Sequence, residues 1–102
     1  MIDYTEQAER QLDALRQHYL GRERLDALRN LEAALDDAEA RIGRDPAAGL
    51  AAPRPYPFLA LPGRAWIKAG RYWVSYLTTT PPIITGIFHE TADIPNRLYR
   101  HI

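Results

Sequence analysis

The sequence predicts a single α+β domain: an N-terminal α-helical hairpin packed on a small antiparallel β-sheet, with a short N-terminal edge strand beside it. Three observations lead there. Two apolar stripes at helical spacing occupy the first 45 residues and are parted by a glycine, a proline-rich stretch follows, and three short runs of aromatic and β-branched residues complete the chain. At 102 residues the chain has room for one domain, spanning 1–102, which can bury roughly two thirds of its unfolded surface.

Met1 to Tyr4 is short and apolar enough to add an edge strand to the sheet. Thr5 stands where a helix N-cap belongs, and Ala8, Leu12, Leu15 and Tyr19 follow on one helical face, with Gly21 as the expected C-cap. A second stripe, Leu25, Leu28, Leu31, Leu35, Ala38 and Ile42, ends at Gly43. A connection as short as Gly21-Arg22 obliges the two helices to fold back on each other. Neither run lasts the three or four heptads a coiled coil would need.

Five of the eight prolines fall between Pro46 and Pro62, so this stretch is an irregular crossing that cannot continue a helix. Beyond it, strands are expected over Arg64 to Ala69, Arg71 to Thr79 and Ile83 to His89, divided by Ala69-Gly70 and Thr80-Pro81-Pro82. Alternation puts Tyr72, Val74 and Tyr76 on one face of the middle strand and Trp73, Ser75 and Leu77 on the other. One face is to be covered by the hairpin; the other is expected to keep aromatic surface for a partner. Asp93 is placed to cap a final turn running from Ile94 to Arg100, the other reading being a tail that stays loose until a partner orders it.

Formal charge is zero, but its distribution is uneven. Met1 to Asp45 carries eleven acids against seven arginines, a balance of −4; Pro46 to Ile102 carries six bases against two acids, a balance of +4. A basic sheet facing an acidic peptide or a nucleic acid is one reading, and a solvated mixed surface is the other. There is no cysteine, so disulfides, thiolate metal sites and a cysteine nucleophile are excluded, which suits a reducing cytoplasm. The N-terminus shows no secretory signal pattern, and no stretch approaches a membrane span. His18, His89 and His101 lack metal-ligand spacing, and neither a glycine-rich phosphate loop nor a Ser-His-Asp arrangement is visible, so no metal and no cofactor is expected.

The succession of strand, two helices, proline-rich crossing, three-strand meander and short tail resembles that of RelE/ParE toxins over nearly the whole chain. Tyr4-Thr5-Glu6-Gln7-Ala8-Glu9-Arg10-Gln11-Leu12 is similar to the family's opening helix. Gly63-Arg64-Ala65-Trp66 leading to Gly70-Arg71-Tyr72-Trp73-Val74-Ser75-Tyr76 resembles its central hairpin, and Ile84-Thr85-Gly86-Ile87-Phe88-His89 with Asp93 its last strand. The resemblance implies the toxin of a type II toxin–antitoxin, or plasmid stabilisation, system: a cytoplasmic growth inhibitor restrained by a cognate antitoxin protein. It implies no direct sequence-specific DNA binding by this chain alone.

Members of that family either poison DNA gyrase or cut messenger RNA on the ribosome. Cutting requires cations around a pentacoordinate phosphate and a group that moves a proton. The candidates for it are Arg64, Lys68, Arg71, His89 and Tyr99, with His101 as a further tail residue. Lys68 is the sole lysine, and Glu90-Thr91-Ala92-Asp93-Ile94-Pro95 resembles the gyrase-directed branch, so gyrase is the expected target and an endoribonuclease the alternative. For contact with antitoxin or target the candidates are Arg64, Trp66, Lys68, Arg71, Trp73, Arg97 and Arg100. Residues of these kinds more often pack or bond structurally, the two tryptophans within the sheet and His89 with nearby backbone or Asp93. A reading of another class is a non-toxic adaptor whose hairpin and sheet simply bind a protein.

Overall fold

Thr5 caps the first helix as its side chain predicts: Oγ1 accepts the Ala8 backbone N–H at 3.1 Å, satisfying one of the four free donors of the first turn. The computed structural model describes residues 2–99, with the side chain of residue 99 outside that description. In order these form β1 (Asp3–Tyr4), α1 (Glu6–Gly21), α2 (Leu25–Arg44), β2 (Arg64–Ala69), β3 (Tyr72–Leu77), β4 (Ile83–His89) and α3 (Ile94–Tyr99). Two short 3-10 turns, Pro46–Ala48 and Pro57–Leu59, punctuate the crossing between α2 and β2.

The helix junction falls at the expected glycine, with the C-cap one residue later, at Arg22. α1 runs through Gly21, and the chain reverses over Arg22 to Arg24, with Glu23 at φ +55° and the Arg24 N–H bonded to the Tyr19 carbonyl at 2.8 Å. α2 likewise passes Gly43 and ends at Arg44. Helical hydrogen bonding, once propagating, tolerates a glycine at a cost of about 1 kcal/mol, so the residue permits a stop without imposing one. Leu25, expected in the apolar stripe, is 58% exposed, because it lies at the hairpin tip where residues 20–26 are all in solvent. Farther along, Leu31, Leu35, Ala38 and Ile42 are buried as expected, joined by Ala34. Between the helices the Arg16 guanidinium grips Glu32 with two bonds, 2.6 and 3.0 Å long.

The sheet has the order β1-β4-β3-β2. β2–β3–β4 is the antiparallel meander, but β1 pairs with β4 in parallel, Asp3 with Ile83 and Tyr4 with Ile84, which makes the sheet mixed rather than antiparallel. No tight turn joins β1 to β4, so hairpin geometry does not dictate their relative sense. β1 covers only the start of β4's outer edge; farther on, the Gln11 side-chain carbonyl accepts the Ile87 N–H at 3.0 Å. At the opposite edge, Leu50 pairs with Trp66 through two 2.7 Å backbone bonds, and Arg41 donates to the Lys68 carbonyl at 2.9 Å. Both edges thereby lose much of their capacity to recruit a further strand.

Alternation along β3 sorts two cores. Tyr72, Val74 and Tyr76 face the hairpin, where Ala8, Leu12, Leu31, Leu35, Ala38 and Ile42 meet Ile67, Ile84 and Ile87. The opposite face carries Trp66, Trp73 and Phe88, and here the expectation of open aromatic surface is corrected. Leu59 of the crossing and Ile94 of α3 close over these rings, with Tyr56 and Leu98 packed alongside. Leaving two indoles and a phenyl ring in water would forfeit several kcal/mol of burial, enough to hold an otherwise irregular segment in place. Opposite this core β4 bulges, since Ser75 pairs with Gly86 and Tyr76 with Ile84; a Cβ on Gly86 would lie 2.7 Å from the Phe88 ring.

Candidate functional site

The strand register separates the cationic candidates. Arg64 opens β2 opposite Leu77, whereas Ala69, Tyr72 and His89 stand at the far end, so Arg64 is removed from the Arg71 turn by roughly 17 Å of extended chain. Arg64 is half-buried, and its Nε is enclosed without a hydrogen-bond partner. Lys68 is committed locally. Its Nζ lies 2.8 Å from Glu90 Oε2 and 5.7 Å from the centre of the Trp73 ring, while Arg54 stacks on the same ring at 5.3 Å. The hydrogen bond from Lys68 holds the Glu90 carboxyl below its ordinary range.

Trp66 and Trp73 are 0% and 3% exposed, which removes them as contact residues and makes them the centre of the second core. The Trp66 and Phe88 rings meet with centroids 5.9 Å apart. Arg97 is exposed on α3, capped by Asp93, whose carboxylate accepts from the Asn96 backbone and side chain. Arg100, His101 and the Tyr99 side chain lie outside the described residues.

What the fold does bring together is Arg71 with His89. Both line a cleft of about 720 Å³ between α2 and the β2–β3 turn, with Tyr19 and Tyr72 at its wall. The hydroxyls of Tyr19 and Tyr72 hydrogen-bond to each other; burial first, then that bond, pushes the Tyr72 phenol well above its ordinary value, so it stays protonated at neutral pH. The other charges here are already paired or balanced, Arg24 with Asp26 and Asp37 with Arg41, which among the described residues leaves Arg71 as the free cation. His89 also borders a second cleft of about 500 Å³ that contains His18 and Arg97.

His89 bonds to Thr91, not to Asp93. Nδ1 lies 2.8 Å from Thr91 Oγ1 and accepts the Thr91 N–H at 3.2 Å. Thr91 thus takes up Nδ1, and Nε2 is the nitrogen left without a protein partner among the described residues.

Sequence reasoning passed over a third site. Along the outer edge of β2 and the end of α2 runs a groove of about 360 Å³ lined by Arg41, Arg44, Arg54 and Lys68, with Asp45 the single carboxylate among the described residues. Two of these arginines belong to the half of the chain whose charge sums to −4 and the other two cations to the half that sums to +4. Summing along the chain hid them, and only the contact of α2 with β2 assembles them. Among the described residues no helix is long and apolar enough to cross a membrane. Compared with known protein families and with curated proteins, the sequence matches none.

Proposed function

We propose that this protein is the toxin of a type II toxin–antitoxin pair, organised like RelE/ParE proteins, that arrests bacterial growth by engaging DNA gyrase and is neutralised by a cognate antitoxin. The observation that supports the scaffold half of this reading is the element order: strand, helical hairpin, irregular crossing, three-strand meander and short C-terminal helix. Binding rather than cutting is supported by the state of the catalytic candidates. Lys68 is neutralised by Glu90, Arg64 sits at the far end of the sheet from Arg71 and His89, and the His89 ring is held by Thr91 with no carboxylate to orient it as a base.

In this reading Arg71 and Arg97, exposed on either side of His89, contact the target; Trp66 and Trp73 hold the sheet's covered face together. The endoribonuclease alternative draws on one observation, the shared cleft of Arg71 and His89. Induced expression in a bacterial host should stop growth, purified protein should inhibit gyrase supercoiling, and His89→Ala should leave both effects intact. Codon-dependent cleavage of ribosome-bound mRNA that disappears in His89→Ala would overturn the gyrase reading. Unimpeded growth with folded protein present would replace the toxin by an adaptor.

A further inference from the structure

We propose that the groove between the end of α2 and the edge of β2 is a docking site for an acidic, extended peptide segment of a partner protein. Charge complementarity carries the assignment. Three segments distant in sequence deliver four cations to one groove of about 360 Å³ against one carboxylate, Asp45. Arg41 and Arg44 alone could be explained as cations offsetting the negative end of the helix dipole. Arg54, from the crossing, converges on the same place while lying over the Trp73 ring, a stacking that leaves its N–H donors unspent.

The unspent donor capacity lies mainly in two residues. Arg41 divides Nη1 between Asp37, at 3.0 Å, and the Lys68 carbonyl, and Lys68 is held by Glu90. Arg44 and Arg54 form no ion pair among the described residues, and both are exposed. A guanidinium offers five N–H donors in a planar fork that matches a carboxylate. Leu50, 39% exposed on the groove's wall, gives an apolar contact between the charges.

A peptide suits this site better than a nucleic acid. The aromatic residues that line the groove, Trp66 and Tyr76, are 0% and 1% exposed, so no ring face is open for a base to stack on. Carboxylates spaced by apolar side chains would use both the guanidinium forks and Leu50. The inference goes beyond the toxin reading, and the two fail separately, since growth arrest tests one and peptide binding at this groove tests the other.

The probe is a fluorescent hexapeptide alternating glutamate and leucine, titrated into the full chain with backbone amide NMR shifts recorded in parallel. Shifts should concentrate at Arg44, Gly49, Arg54 and Lys68. Combining Arg44→Gln with Arg54→Gln should weaken binding by about tenfold, the sum of two modest exposed charge pairs, while Arg71→Gln, a charge removed from the other cleft, should leave it unaltered. Both groove residues are exposed, so an unchanged unfolding midpoint confirms that the double variant is folded. Absence of binding, equal binding by the double variant, an equal loss in Arg71→Gln, or tighter binding of an oligouridylate of the same length would each overturn the proposal.

Discussion

Replacing Gly49 by alanine places one methyl group in the most tightly closed corner of the groove floor. The backbone there has φ −69° and ψ 162°, a conformation any residue adopts, so the substitution carries no backbone strain and gains about 0.4–1 kcal/mol by restricting the unfolded chain. Against that stands the space. An alanine Cβ would run into the Tyr76 hydroxyl and lie 2.9 Å from the Ala65 Cβ and 3.0 Å from Tyr76 Cζ. Tyr76 is 1% exposed and donates to the Pro46 carbonyl at 2.7 Å, so it cannot swing into solvent. Overpacking of this kind costs about 1–3 kcal/mol, and a displaced buried hydrogen bond about 1 kcal/mol more. The net loss for Gly49→Ala is therefore about 2 kcal/mol, or on the order of 10 °C in unfolding midpoint for a domain of this size. Because the worst contact is with the hydroxyl, Tyr76→Phe should be less damaging in the Gly49→Ala background than alone. Calorimetry of the two single variants and the double variant closes the cycle, with an expected coupling of about 1 kcal/mol. Additive losses, or a Gly49→Ala midpoint at or above that of the parent, would refute the steric account.

The second core makes a larger claim: Trp66→Ala should cost about 3–5 kcal/mol in urea unfolding, and a loss below about 1 kcal/mol would mean that the crossing and α3 do not cover the sheet. At the other end, burial and then the nearby Glu39 carboxylate push the Tyr4 hydroxyl up to about 12. Its folded value lies above the unfolded 10, so the associated stability is intact below pH 10 and lost as the pH rises from 10 towards 12; a phenolate absorbance titration in Glu39→Gln should show the value moving down. Arg16→Ala, which removes the two-pronged grip on Glu32, should cost about 0.5 kcal/mol because both side chains are more than a third exposed, and most of that should vanish in high salt when midpoints are compared.

Local chemistry was strong enough to be read in several places. Thr5 offers its hydroxyl to the helix it precedes, the period of α2 sets which of its leucines face inward, and the alternation of β3 puts Tyr72, Val74 and Tyr76 together whatever covers them. The ion pairs Glu6 with Arg10 and Asp37 with Arg41 follow from helical spacing alone. Gly21 and Gly43 mark the helix ends to within one residue, because a glycine makes a stop inexpensive while the hydrogen bonds beyond it set the last position. Of the two partners open to His89, nearby backbone and Asp93, turn geometry selects the backbone, at Thr91. The covering of Trp66 and Trp73 was hidden for another reason: Leu59 and Ile94 sit in segments with no period, so nothing in their neighbourhood announces the face they seal.

By itself the sequence determined the kind and order of elements, because capping, helical period, strand alternation and the proline break are written in residues near one another in the chain. Tertiary structure alone decided the parallel pairing of β1 with β4, the burial of both tryptophans, the separation of Arg64 from Arg71, and the gathering of Arg41, Arg44, Arg54 and Lys68 around one groove. Each of those joins residues far apart in the chain. Their meeting depends on how layers close over apolar surface and not on any local preference.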